Sequence, residues 1–293
     1  SSFGWSLVAG DFNADGKADL AVGAYAYASS AGRAYIFYSQ NGQVNTNQSI
    51  STGGASALMT GDWNADGRAD LAVGVNTYST NTGRVYLFYG DGQIPTSSAN
   101  ADVTITGETT QTTFGSSITA GDFNADGKVD LAVGAYKYST NTGRAYIFYN
   151  GSITTENASG ADIIITGAST NSNIGTSLAA GDMNADGKTD LVVGGSNYDT
   201  GAAKVYIFYN GAIITETVSG ADVTISKGSG SGGSFGTSLS IADMDADGDV
   251  DLVTCDFAGG GGSEGAVYIF YNDGSYSSAA ATADVLISGS NVG

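Results

Sequence analysis

The sequence predicts an all-β protein built from five four-stranded antiparallel units, and three observations support this class. The string Gly-Asp-x-Asn-Ala-Asp-Gly recurs, with its first aspartate at Asp11, Asp62, Asp122 and Asp182, and a variant copy starts at Asp243. Successive copies are 51, 60, 60 and 61 residues apart, a length that suits one four-stranded sheet per copy. No segment shows the 3.6-residue apolar period of a helix.

The centre of each copy has a nearly constant length. From the first aspartate to the last tyrosine of the following Tyr-x-Phe-Tyr run, four copies count 27 residues and the fifth counts 28. The connection from that tyrosine to the next aspartate varies between 24 and 34 residues. Because loops absorb length changes and packed strands do not, the aspartate loop and the two strands after it form the packed centre.

Strands can be assigned within a copy from their apolar patterns. In the third copy they cover residues 117–120, 131–135 and 145–149, and residues 102–106 close the copy before it. Residues 145–149 are apolar on both faces, whereas 102–106 alternate, which indicates inner and outer strands of radially stacked blades. We therefore predict one domain over residues 1–293, with repeats of approximately 1–53, 54–107, 108–167, 168–226 and 227–293.

Each copy carries a nine-residue loop with oxygen-bearing side chains at positions 1, 3, 5 and 9 and glycine at position 6. Calcium accepts six to eight oxygen ligands in a flexible shell, whereas magnesium keeps several waters, so the loops predict about five structural calcium ions. The side-chain ligands are Asp11, Asn13, Asp15, Asp19; Asp62, Asn64, Asp66, Asp70; Asp122, Asn124, Asp126, Asp130; Asp182, Asn184, Asp186, Asp190; and Asp243, Asp245, Asp247, Asp251. Position 7 would add a backbone carbonyl from Lys17, Arg68, Lys128, Lys188 and Asp249.

Two other interpretations of these loops are weaker. An EF-hand or a dockerin needs flanking helices and, in the EF-hand, a glutamate at position 12. Position 12 holds valine in four copies and Thr254 in the fifth, and the chain after position 9 continues as a strand. Solvated Asx turns without metal are the other alternative, which five copies of one ligand set disfavour.

The charge balance agrees with metal binding. The chain has 10 basic and 29 acidic residues and a formal charge of −19, and 17 of the acids lie in the loops, three in each of four and five in the last. Five calcium ions would reduce this charge to −9, so metal binding and folding should be coupled. Such a charge repels nucleic acid. Weak extracellular-type calcium affinity would suffice only outside a cell, which predicts a secreted or surface location.

The composition argues against catalysis. The chain contains no histidine and one cysteine, Cys255, so histidine-bearing triads and zinc sites are excluded and the cysteine is expected to be a small buried hydrophobe. We predict a protein that is not an enzyme. There is no apolar run long enough to span a bilayer, hence no membrane insertion, and no signal peptide, so the sequence reads as a mature or excerpted segment.

A second set of repeated residues could contact a ligand. One tyrosine follows each of the first four loops by the same distance, and exposed rings beside amides could stack on sugars, although burial against the next blade is the stronger interpretation. These residues are Tyr27, Tyr78, Tyr138 and Tyr198. Triplets at Asn47, Asn150 and Asn157 match glycosylation acceptors, but such triplets are common by chance.

The Phe-Gly pairs Phe3-Gly4, Phe114-Gly115 and Phe235-Gly236, together with the aspartate loops, resemble the FG-GAP repeats of integrin α subunits and many bacterial surface proteins. The second and fourth copies depart from the pattern, with Gly54-Ala55 and Ile174-Gly175. The resemblance implies a calcium-binding β-propeller that acts as an adhesion or binding module for a protein or glycan outside the cell. Two alternatives stay open: a structural subunit that self-associates into a fibre or coat, and a glycan-binding lectin.

Overall fold

The computed structural model describes residues 2–25, 32–40, 43–196, 203–211, 213–228, 234–257 and 265–289. Five sheets follow one another along the chain, and each contains four strands from one copy of the repeat. The predicted fold class, an all-β propeller of five four-stranded antiparallel blades, is confirmed.

Each blade runs from an inner first strand to an outer fourth strand. Blade 1 contains β1 (Phe3–Gly10), β2 (Asp19–Ala24), β3 (Arg33–Gln40) and β4 (Gln43–Ser51); blade 2 contains β5 (Ala57–Gly61), β6 (Asp70–Val75), β7 (Arg84–Phe88) and β8 (Val103–Thr106); blade 3 contains β9 (Ser117–Gly121), β10 (Asp130–Ala135), β11 (Arg144–Phe148) and β13 (Ile163–Thr166); blade 4 contains β14 (Ile174–Gly181), β15 (Asp190–Gly195), β16 (Lys204–Phe208) and β18 (Val223–Ser226); blade 5 contains β19 (Leu239–Ala242), β20 (Asp251–Asp256), β21 (Ala266–Phe270) and β22 (Val285–Ser288).

Burial follows the predicted order of strands. In blade 2 every residue of the second strand is buried, the third strand is buried after its first residue, and the fourth strand alternates between buried and half-buried. The strands pair in antiparallel register, for example Leu58 with Val73 and Val73 with Tyr86. Inner strands are therefore covered on both faces, as their continuous apolar sequences indicate.

Two sheets contain a fifth strand that the sequence did not predict. The two-residue strand β12 (Glu156–Asn157) of blade 3 pairs in parallel with β8 of blade 2, and β17 (Glu216–Thr217) of blade 4 pairs likewise with β13 of blade 3. A side chain supports each pairing, since the Thr155 hydroxyl accepts a hydrogen bond from the Thr104 N–H at 3.2 Å. A two-residue pairing leaves no periodic signal, so only the structure reveals it.

The remaining regular elements are single turns. The 3₁₀ turns are Ser98–Asn100, Ala158–Gly160, Val218–Gly220 and Ala280–Thr282, and the segments Tyr78–Asn81 (α1) and Tyr138–Asn141 (α2) contain left-handed residues with φ between 43° and 59°. None of the helices in the described part of the chain has the length and apolar character required to cross a bilayer.

The chain forms two compact units. The first comprises Ser1–Ala120, Gly127–Ala135 and Ile147–Asp162, and the second comprises Gly121–Asp126, Tyr136–Tyr146 and Ile163–Gly293. A core that includes Ile36, Ile50, Leu71 and Phe88 fills part of the first unit. The second unit has a core that includes Val192, Ile207, Ile225 and Phe270.

Candidate metal centres

Each acidic loop joins the first strand of its blade to the second. Position 9 is the first residue of the second strand in all five blades, and position 1 follows the first strand closely. The loop is therefore anchored by a paired strand at both ends. This strand–loop–strand setting agrees with the rejection of an EF-hand, whose loop lies between helices.

In the second loop the side chains at positions 1 and 3 turn inward around one backbone N–H group. The Asp66 N–H donates to Asp62 Oδ1 and to Asn64 Oδ1, both at 3.0 Å. The Gly67 N–H donates to Asp62 Oδ2 at 2.9 Å. The first, third and fourth loops show the same pair of bonds to the position-5 N–H, at 2.9–3.0 Å. Four loops thus hold their oxygens in one repeated arrangement.

The loop backbone makes this arrangement by two left-handed residues. Alanine at position 4 has φ between 56° and 66° in the five loops, and glycine at position 6 has φ between 81° and 102°. Glycine adopts this conformation freely, whereas alanine is strained in it. The glycine of the motif is therefore explained by the turn, and the alanine is maintained by the surrounding bonds.

The position-9 aspartate is buried and joins the loop to the third strand. Asp70 is fully buried; its Oδ2 accepts from the Trp63 N–H at 2.8 Å and its Oδ1 from the Gly90 N–H at 2.9 Å. Asp19, Asp190 and Asp251 make the same two kinds of bond. Burial raises the pKa of Asp70 and of Asp190 to about 6 in the metal-free protein, against the opposing effect of these backbone donors. A nearby cation would lower both values.

The fifth loop differs from the others in charge and in hydrogen bonding. Asp243, Asp245 and Asp247 are exposed, and each places a carboxylate oxygen within 4.8 Å of the others. The Asp243 Oδ1 accepts here from the Ala246 N–H at 2.7 Å. Desolvation, followed by the neighbouring carboxylates, raises the pKa of Asp245. Three carboxylates this close fit a divalent cation with oxygen ligands.

The predicted ligand-contact tyrosines stack on basic residues of their own blades. The Arg84 guanidinium lies 3.7 Å from the centre of the half-buried Tyr78 ring, and its Nε donates to Thr106 Oγ1 at 3.0 Å. Arg144 contacts Tyr138 at the same distance. One face of each ring is therefore covered, which leaves the edge and the other face for a ligand. Tyr27 and Tyr198 lie outside the described residues.

Sequence reasoning missed an asparagine that ties neighbouring blades together. The Asn150 Nδ2 donates to the Asp62 carbonyl in the ion loop of the previous blade at 2.8 Å and to the Val129 carbonyl at 3.1 Å. Asn210 does the same with Asp122 and Thr189. A signal was present, because asparagine directly follows the last tyrosine in three copies. The buried Asn150 amide is thus engaged twice and is a poor glycan acceptor.

Comparison with known proteins identifies the repeat. A family model of the FG-GAP repeat matches residues 3–37, 54–88, 114–148 and 174–208. The chain is 36% identical over 173 residues to phosphatidylinositol-glycan-specific phospholipase D of Bos taurus, a match that covers 53% of this chain and 20% of that protein. It is 31% identical over 232 residues to integrin alpha-IIb of Mus musculus, with 73% of this chain and 22% of that protein covered.

Among solved structures, the V. cholerae biofilm matrix protein Bap1 matches 92% of this chain and 38% of its own chain at 17% identity and a TM-score of 0.43. The chain spans about a fifth of the length of the two curated relatives. The family match covers four of the five copies, and the loop spacing continues into the fifth. The chain belongs to the FG-GAP repeat family, the integrin-like β-propellers.

Proposed function

We propose that the chain is a calcium-stabilised β-propeller that acts outside the cell as a non-enzymatic binding or adhesion module. The observation that carries this proposal is the repeated loop. In four loops the oxygens of positions 1 and 3 converge on one N–H group, and in the fifth three carboxylates lie within 4.8 Å of one another. Calcium would be held by side chains at positions 1, 3, 5 and 9 and by the carbonyl of position 7.

Charge supports a structural ion in each loop. Carboxylates at this separation repel one another, and the chain as a whole carries a formal charge of −19. A divalent cation would remove that repulsion and would link the two ends of the loop. The affinity expected for extracellular modules, about 10⁻⁴ to 10⁻³ M, is met by calcium outside cells and not by cytosolic calcium. This is the argument for a secreted or surface location.

The ligand is proposed to bind at the end of the blades opposite the ion loops. In an antiparallel blade the turn between strands 2 and 3 lies at the other end from the turn between strands 1 and 2. At that end Ser79, Thr80 and Asn81 are exposed and have φ of 43°, 59° and 59°. Three consecutive left-handed non-glycine residues are strained, and strain of this kind concentrates at binding sites. Either a protein or a glycan could use this surface.

The absence of catalysis is proposed from the chemistry of the residues that remain. The chain has no histidine, and the buried position-9 carboxylates accept hydrogen bonds from backbone N–H groups. The phospholipase D relative is an enzyme by name, but the match covers only 20% of it. We assign no activity of that protein to this chain.

Calorimetric titration of the chelator-treated protein with calcium tests the metal proposal. About five ions should bind, and the Asp66→Ala variant should lose about one while the exposed control Asp91→Ala, which lies outside the loops, should lose none. If the wild-type protein binds no calcium at about 10 mM, the loops are metal-free turns and the proposal is wrong.

Binding to protein and glycan arrays tests the ligand surface. The Tyr138→Ala variant should bind at least about tenfold more weakly to any captured ligand, because aromatic contacts commonly dominate such interfaces. The control is Tyr271→Ala, a half-buried tyrosine at the ion-loop end of blade 5. Equal binding by both variants would place the ligand elsewhere, and no glycan binding at all would remove the lectin alternative.

A further inference from the structure

Consecutive blades join through a slot that receives a Phe-Gly dipeptide or its equivalent. In blade 2 this slot lies between the ends of the second and fourth strands and the start of the third. Phe114 of blade 3 enters it and is fully buried. Its backbone lies so close that a Cβ atom on Gly83 would come within 2.1 Å of the Phe114 oxygen. Blade 4 receives Phe235 of blade 5, also fully buried, in the same way, with the Gly236 oxygen against Gly194.

The corresponding slot of blade 5 is open among the described residues. It forms a recess of 380 Å³ between residues 255–257, 265–267 and 287–289. Ile287 of the fourth strand is 55% exposed, whereas the isoleucine at this position is fully buried in the other four blades. Met244 is 47% exposed, whereas the residue at this loop position is at most 2% exposed in the other blades. These isoleucines are Ile50, Ile105, Ile165 and Ile225, and these loop residues are Phe12, Trp63, Phe123 and Met183.

Blade 1 presents the other half of the same interface. Phe3 is 54% exposed, whereas Phe114, Ile174 and Phe235 at its position are fully buried. Leu7 is 61% exposed, and Trp5 between them is 62% exposed. Gly4 already has φ of 87°, close to the 79° to 84° of the glycines that are docked in blades 3, 4 and 5. The dipeptide is therefore in its docking conformation before it meets a slot.

We propose that the open face of blade 5 binds blade 1 of a second copy of this chain, so that copies associate head to tail. The interface repeats the contact that joins neighbouring blades, with Phe3-Gly4 directed at the recess and Leu7 near Ile287. Such an interface joins two different surfaces, so each copy uses one face for each neighbour. This association adds to the proposed binding function and does not depend on it.

One residue makes the blade 5 slot different from the internal ones. Cys255 stands where blades 1 to 4 have glycine, and at Gly74 a Cβ atom would come within 2.2 Å of the Gly115 oxygen of the next blade. The docked backbone therefore lies farther from the second strand than in the internal interfaces, and the recess leaves room for the Phe3 ring. This looser fit makes the association weaker than the contact between covalently linked blades.

Sedimentation velocity in calcium buffer tests the proposal, from about 1 to 100 µM chain, the range in which modest interfaces associate. The average mass should rise with concentration. Leu7→Asp and Ile287→Asp should each be monomeric alone, since each destroys one face. Mixed in equal amounts they should form dimers and nothing larger, because the mixture retains one intact face of each kind. Ile214→Asp, at an apolar site 60% exposed and on neither face, should behave as wild type.

Three results would overturn the proposal. The wild-type chain could stay monomeric throughout the range, the mixed variants could stay monomeric, or Ile287→Asp could self-associate as well as wild type. A further measurement needs no substitution on either face: the alkylation rate of Cys255 should fall severalfold as wild-type concentration rises. An unchanged rate in associating protein would place the contact elsewhere and would equally reject the proposal.

Discussion

The second and fifth ion loops have the same spacing of oxygen side chains but different surroundings. Trp63 at position 2 of the second loop is 2% exposed, whereas Met244 at the same position of the fifth loop is 47% exposed. The second loop also receives a hydrogen bond from Asn150 of the next blade, which no described residue supplies to the fifth loop. The comparison separates what a loop does for itself from what a neighbouring blade does for it.

The largest expected difference concerns the covered side chain. Trp63→Ala should lower the free energy of unfolding by about 3–5 kcal/mol, the usual cost of removing a large buried aromatic ring. Met244→Ala should cost less than about 1 kcal/mol, because half of the side chain is already in water. Urea unfolding in excess calcium measures both. Similar losses would mean that the fifth loop is covered in solution.

A smaller difference should follow from the asparagine between blades. Asn150→Ala removes two hydrogen bonds to carbonyl groups and should cost about 1–2 kcal/mol. Asn272 occupies the same position in blade 5, and its Nδ2 has no hydrogen-bond partner among the described residues. Asn272→Ala should therefore cost less, about 0.5 kcal/mol or none. The two variants unfolded side by side give the test, and the reverse order would contradict the assignment of these bonds.

The smallest effect is expected on calcium affinity alone. The fifth loop carries aspartate at all five odd positions, whereas the second has Asn64 and Arg68 among them. Because ligand charge tunes calcium affinity, Asp249→Lys should weaken the fifth site severalfold and Arg68→Asp should strengthen the second. Stability in saturating calcium should change little, since both side chains are exposed. Site-resolved titration would show a failure as equal affinities before and after substitution.

Much of the fold followed from the sequence because the repeat supplies five copies of each signal. The constant distance from Asp62 to Tyr89 indicated the packed centre, and the apolar pattern of residues 145–149 indicated an inner strand. The parallel pairing of Glu156 with Ile105 was not predictable, since two residues carry no period. The contact of Arg84 with Tyr78 depends on side-chain direction across a hairpin, which spacing does not report.

The candidate site was predictable to a different depth. Spacing and residue type indicated which oxygens belong to each loop, and the structure shows their inward arrangement. The double role of Asp70, which the sequence offered only as a ligand, required the structure because its donors are Trp63 and the distant Gly90. The exposed state of Met244 and Ile287 also depended on what lies against blade 5, which no local pattern encodes.

Thermal unfolding with and without a calcium chelator tests the central claim that the clustered loop carboxylates need a divalent ion to remain folded. The account predicts that chelation lowers the melting temperature by at least about 10 °C, as expected when several ions that bind only the native state are removed, and that added calcium restores it. An unchanged melting temperature and an unchanged circular dichroism spectrum after chelation would contradict it.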